Sequence, residues 1–225
     1  MNTKILFQAT LLLMALACII SCAPAYVPNV INSPMLDHEN EFQISLNTGT
    51  AGIDPQIAYT VTDHFGLMAN GSFANKTSDS TDSFHKHYFI ELGAGYYTKV
   101  VENVLFEFYG GFGTGRLKSK FDSEIWTSFA NVESRRIFIQ PSIGVTTEIF
   151  DANLASRFTM VNLNQHSSSN TGYMWEPAVT FKAGYKHIKT ILQFGFALPI
   201  NEQSLEFNYQ LFIISFGVQA TLGKY

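Results

Sequence analysis

From Phe42 onward the chain alternates between apolar and polar residues and scarcely stops. In "EFQISLNTG", Phe42, Ile44 and Leu46 share one face, and Glu41, Gln43, Ser45 and Asn47 share the other. Ile53, Pro55, Ile57 and Tyr59 then alternate with Asp54, Gln56, Ala58 and Thr60. Such strict period two predicts strands whose two faces meet different environments. The same pattern recurs around Phe65 and Leu67, Ile90 and Leu92, Phe106 and Phe108, and Ile139 and Ile143. It returns around Phe158 and Met160, Val179 and Phe181, Leu192 and Phe194, and Phe212 to Leu222. About ten antiparallel strands are predicted, with eight as the alternative count.

The connections alternate in length. Short turns are expected near 62–64, 100–103, 151–153 and 186–187, and longer polar loops near 75–86, 118–135, 163–172 and 199–208. Short turns on one side and long loops on the other is the topology of a transmembrane barrel. The second face decides between that and a sandwich. A soluble sandwich would show water a Lys/Glu-rich face. Here the second face is Gly, Ala, Ser, Thr, Asn and Gln, which suits a narrow, crowded lumen. Aromatics gather at both strand ends, as interfacial girdles do. Tyr59, Phe65, Tyr96, Tyr97, Phe150, Tyr185 and Tyr225 are expected near the short turns, and Phe73, Tyr88, Tyr173, Trp175 and Tyr209 near the long loops.

Composition agrees. Aromatic and charged residues are each 14% of the chain, yet mean hydropathy is only +0.07, so apolar residues are dispersed among polar ones. A net charge of −4 argues against nucleic acid as a partner. No Gly-rich phosphate loop and no cysteine cluster is present, and no cofactor is expected.

The N-terminus differs. Lys4 is its only charge before a run that is almost wholly apolar from Ile5 to Ile20. The run is short for a membrane span, which needs about 20 residues, and fits a secretory signal over 1–21. Ile19-Ile20-Ser21-Cys22 resembles the bacterial lipobox. The resemblance implies that Cys22 becomes the first mature residue and is acylated, palmitate-type chains included, while Cys18 leaves with the signal. Two or more acyl chains give lasting anchorage. Residues 22–40 carry three prolines and no period, and are expected to form an extended periplasmic tether. With no acidic cluster after Cys22, the lipid is expected in the inner leaflet.

Taken over 41–225, the chain resembles the small outer-membrane β-barrel proteins of Gram-negative bacteria (the OmpA/OmpX type). Tyr225 is out of phase with the terminal strand that carries the likeness to an assembly signal. The resemblance implies residence in the cell outer membrane and contact with its lipids. It also implies passage through the barrel-assembly and lipoprotein-sorting machinery, and a possible extracellular ligand at the long loops.

Candidate chemistry is sparse. Glu91, Glu107, Glu148, Arg157, Glu176 and Lys182 fall on the lumen face. A charge in a narrow barrel must be paired or hydrated, so a register-fixing network is the first expectation. A charged, cation-preferring constriction is the second, because acids outnumber bases; a catalytic acid pair is the third. His85 and His87 lie in "FHKH", predicted as an exposed loop, and two ligands alone rarely make a zinc site. "NLNQHSSSNTG" offers His166 and Ser168, with Glu176 beyond. That stretch resembles the His-x-Ser of outer-membrane lipid A deacylase barrels, with His166 as base, Ser168 as nucleophile and Glu176 as orienting acid. A flexible serine-rich loop explains the same residues. The leading expectation is a non-enzymatic barrel with a structural or surface-interaction role.

Overall fold

The computed structural model describes residues 24–78, 81–122, 127–165, 168–201 and 207–223. The signal segment, Cys22, His166 and Tyr225 lie outside them. The strands are β1 (Phe42–Gly49), β2 (Ile53–Thr60), β3 (Phe65–Thr77), β4 (Phe84–Val101), β5 (Val104–Asp122) and β6 (Thr127–Thr146). After them come β7 (Phe150–Gln165), β8 (Ser168–Tyr185), β9 (Ile188–Phe196), β10 (Leu198–Pro199) and β11 (Phe212–Leu222). Sequential neighbours pair antiparallel from β1 to β8. β11 joins β1 to β9, and the pairing of β8 with β9 closes the barrel. Ten strands form the wall. β10 continues β9 past Ala197 and pairs only Leu198 with Trp175 and Pro199 with Met174.

The phase predicted from the sequence holds. Ile44, Leu46, Phe108, Ile143, Phe181 and Phe194 point outward and are exposed. Gln43, Asn47, Gln56, Asn70, Ser142, Thr180 and Gln193 point inward and are buried. The inward glycines make room for large lumen residues. A Cβ on Gly95 would come within 2.5 Å of the Tyr109 ring, and one on Gly111 within 2.6 Å of Phe138.

Three details differ from expectation. Three of the expected long loops are shortened by strand, while 199–208 is not beyond Pro199 among its described residues: β3 runs to Thr77, β5 to Asp122, β6 starts at Thr127 and β8 at Ser168. His85 and His87 therefore sit in β4, not in a loop. The turn expected at 151–153 belongs to β7, and the reversal falls at 147–149, where Thr147 N donates to Phe150 O. Of the girdle aromatics, Tyr97 turns into the lumen, and Tyr209 is half-buried and packs with the cluster around Tyr26.

The wall has uneven height. β4 to β8 run 16 to 20 residues, whereas β1 and β2 have 8 each and β9 has 9. Along the tall strands the polarity inverts. Outward Phe108 and Phe112 of β5 give way to Arg116, Lys118 and Lys120, while inward Glu107 gives way to Leu117. β7 does the same: outward Phe158 yields to Asn162, and inward Arg157 yields to Val161 and Leu163. Below the inversion the barrel is apolar outside and mostly polar inside, apart from an apolar cluster of Leu36, Met68, Tyr97, Tyr109 and Phe138. Above it, the hairpins are polar outside and enclose an apolar cluster, as a water-soluble protein does.

Candidate functional site

The lumen is filled by the chain's own N-terminal segment. Residues 22–40 were expected as a tether outside the barrel. The structure instead carries 26–36 through the interior, each of them buried. The segment forms no regular helix or strand, turns at Met35 (φ 59°), and its prolines have no N–H to donate. A chain with no strand beside it needs partners for its backbone groups. Side chains on the lumen face supply them.

The contacts follow the barrel axis. At the short-turn end, Leu36 N donates to Glu107 Oε1 at 3.2 Å. Two glycines make space there: a Cβ on Gly66 would meet Leu36 at 2.7 Å, and one on Gly144 would meet Met35 at 2.7 Å. Lys182 Nζ donates to Ser33 O at 2.7 Å and to Pro34 O at 3.1 Å. In the middle, Asn32 Nδ2 donates to Asn70 Oδ1 at 2.8 Å, and Gln140 Nε2 donates to Asn32 O at 2.8 Å. Gln193 holds both polar groups of Ile31, and Gln56 Nε2 donates to Val30 O at 2.7 Å. Val30 N donates to Asp54 Oδ1 at 3.3 Å.

Toward the long hairpins, Asn29 Nδ2 donates to Glu91 Oε2 at 2.7 Å. Arg136 lies between the rings of Tyr26 and Phe89, its guanidinium carbon 4.5 and 3.7 Å from their centroids. From there it donates to Val27 O at 2.7 Å and Asn29 Oδ1 at 2.9 Å. The Tyr26 hydroxyl donates to Glu176. Tyr26 N donates to Asn208 O at 3.1 Å, Gln210 N donates to Tyr26 O at 2.9 Å, and Ser119 Oγ donates to Pro24 O at 3.2 Å.

The predicted lumen charges divide accordingly. Glu91, Glu107, Arg157, Glu176 and Lys182 are buried inside. Glu148 is not among them; it is exposed in the β6–β7 turn, because the turn comes earlier than its alternation suggests. Arg157 pairs with Glu91 at 3.2 Å, and its Nε donates to Gln140 Oε1 at 2.9 Å. Sequence reading missed Asp54, Arg136 and the buried pair Lys189–Asp151, whose atoms are 2.7 Å apart. Arg136 was one step beyond the clear alternation of β6, yet its even number shares the phase of inward Gln140 and Ser142.

Of the hydrolase candidates, Ser168 and Glu176 do not come together, and His166 lies outside the described residues. Ser168 opens β8 at the long-hairpin rim, where its Oγ donates to Gln165 O at 3.1 Å. Glu176 lies eight residues along the same strand, roughly 26 Å away at about 3.3 Å per residue, deep in the lumen on Tyr26 and Thr159. His85 Nε2 and His87 Nδ1 are 2.9 Å apart, and His87 Nε2 is 3.1 Å from Ser72 Oγ. A different trio, Asp37, His38 and Glu41, brings its ligand atoms within 4.8 Å of one another at the short-turn mouth. Their polar atoms already close the reversal into β1: Asp37 contacts His38, and Glu41 accepts from Asp37 N at 3.0 Å and Gln43 Nε2 at 2.7 Å.

No protein-family model matches the chain, and no characterised protein matches it in sequence.

Proposed function

We propose that the protein is a bacterial outer-membrane β-barrel lipoprotein, anchored through Cys22, with a structural or surface-interaction role and no catalytic activity. The outward apolar band between two aromatic girdles supports membrane embedding. The polarity inversion along β5 and β7 supports water around the long hairpins. Just above the band, Lys86, Arg116, Lys118 and Arg135 face outward, with Lys86 beside Lys118 and Tyr88 beside Arg116. Such a rim suits the phosphates of outer-leaflet lipids. The tall hairpins are the surface left for an extracellular partner.

The occupied lumen carries the reading. Residues 26–36 are buried along the lumen and make hydrogen bonds with Glu107, Lys182, Gln140, Gln193, Gln56 and Arg136, which supports a lumen without a continuous solute path. This favours a sealed barrel over a channel, and the distance between Ser168 and Glu176 along β8 speaks against the deacylase reading. The test is conductance in planar bilayers. The wild type is expected to give no steady current, and a variant lacking residues 25–36 a measurable one. A stable ohmic current from the wild type overturns the sealed-barrel reading.

A further inference from the structure

The direction of the threaded segment fixes where the mature N-terminus emerges. Leu36 sits beside Gly66 and Glu107, near the starts of β3 and β5 and hence near the β2–β3 and β4–β5 turns. Pro24 sits beside Ser119, three residues from the far end of β5. Read from Pro24, the chain descends the lumen from the long-hairpin mouth to the short-turn mouth. There it reverses through Asn40, at φ 56°, and climbs back as β1. Pro24 and the start of β1 therefore lie at opposite ends of the barrel.

We propose that the mature N-terminus leaves the barrel through the long-hairpin mouth, and that the lipid on Cys22 anchors the protein in the leaflet on that side. The anchoring half rests on the lipoprotein reading above; the side of exit does not. Cys22 is two peptide units from Pro24, at most about 7.6 Å between Cα atoms. That reach cannot return it to the short-turn side while 26–36 fill the lumen. Nor is the exit loosely placed. Tyr26 and Val27 form part of the apolar cluster above the polarity inversion, with Leu117, Val132, Leu163 and Met174. Ala25 N donates to Asn208 O at 2.8 Å, and Tyr26 forms a parallel bridge with Tyr209. These residues belong to the connection into β11, on the side where β9, β11, β1 and β2 leave the rim low. Acyl chains emerging there have a short way into the adjoining leaflet. This reverses the inner-leaflet expectation drawn from the residues after Cys22.

The test places single cysteines in the full chain and labels whole cells with a membrane-impermeant maleimide. Thr127→Cys, exposed on a long hairpin, marks one face, and Glu102→Cys, exposed in a short turn, marks the other. Pro24→Cys is expected to be labelled in intact cells to the same extent as Thr127→Cys, with Glu102→Cys labelled only after permeabilisation. Pro24→Cys behaving like Glu102→Cys overturns the exit. The wild type, unfolded and labelled, reads lipidation separately. An unreactive Cys22 with palmitate incorporation supports the anchor, and a reactive thiol removes it while leaving the exit to be judged by Pro24→Cys. An eight-residue epitope inserted between Ala23 and Pro24, probed by antibody on intact cells, covers the case in which Pro24→Cys fails to fold.

Discussion

Gln193 holds Ile31 as a neighbouring strand would: its Oε1 accepts from Ile31 N at 2.8 Å, and its Nε2 donates to Ile31 O at 2.8 Å. One side-chain amide thus replaces a pair of ladder bonds for a backbone that has no strand beside it. Gln193→Leu would leave both groups buried without partners. Each orphaned group costs roughly 1–3 kcal/mol. We expect a lower urea midpoint for Gln193→Leu in the full barrel and no shift in a barrel lacking residues 25–36. Equal shifts in both would mean that Gln193 stabilises the wall rather than the segment.

The lipid-facing phase gives a second prediction. Phe108, Ile143, Phe181 and Phe194 are exposed on the outward face. Arg at any of them should cost about 2–4 kcal/mol near mid-membrane. Ser142 and Thr180 face inward, where Ser142 Oγ donates to Glu107 Oε2 at 3.2 Å and Thr180 Oγ1 accepts from Gln193 Nε2 at 2.8 Å. Arg there should instead loosen the segment, which protease cleavage near Ser33 in detergent would detect. If lumen-face and lipid-face variants lose stability with no difference in segment protection, the separation of roles fails.

These two predictions mark what the sequence made legible. Alternation identified the outward residues because one environment was uniformly apolar over the band. It faded at 118–122 and 162–165, since outward residues become polar there and the contrast between faces disappears. Those stretches resemble loops although they are strands. The segment at 24–36 escaped for a different reason. An extended, proline-bearing chain has no period whether it lies in water or in a lumen. The available signal was on the wall: Gln43, Gln56, Gln140, Gln193 and Gln219 all face inward, with more hydrogen-bonding capacity than strand pairing uses. Ser168 and Glu176 do not meet because the strand carries Glu176 along the axis and away from Ser168.

That separation gives a third prediction. Ser168→Ala should change neither the acylation of outer-membrane lipid A nor folding, while Glu176→Gln should affect folding alone. Glu176 accepts from Tyr26 and from Thr159 Oγ1 at 3.0 Å, so neutralising it weakens a charge-assisted bond inside the lumen. Mass spectrometry of lipid A from expressing cells checks the first expectation. An acyl chain lost with the wild type and retained with Ser168→Ala would restore the enzyme reading.

The Arg157–Glu91 pair should be costly to break and cheaper to replace. Both side chains are 1% exposed, and Glu91 Oε2 also accepts from Asn29 and Asn70. Removing one partner of a buried pair leaves an uncompensated charge, worth about 3–5 kcal/mol. Arg157→Met should therefore destabilise more than Arg157→Met combined with Glu91→Gln, a sign reversal that independent sites do not show. Urea titrations of the two singles and the double measure it, and additive losses would exclude coupling.

Arg136 is the most geometrically demanding hold on the segment. Its guanidinium lies between two aromatic rings and donates in two directions, to Val27 O and to Asn29 Oδ1. Lysine keeps the charge but has neither the planar face for stacking nor the fixed fork. Arg136→Lys should thus behave nearly as Arg136→Gln does: hydrogen exchange at Tyr26 and Val27 should accelerate, while exchange at Ile31 and Asn32, held by Gln193 and Gln140, stays slow. The contrast separates local release of the outer end from withdrawal of the whole segment, which would raise exchange at all four positions together. If Arg136→Lys keeps wild-type protection at Tyr26, charge alone suffices and the stacked, forked geometry contributes little to holding Tyr26 and Val27 at the long-hairpin mouth.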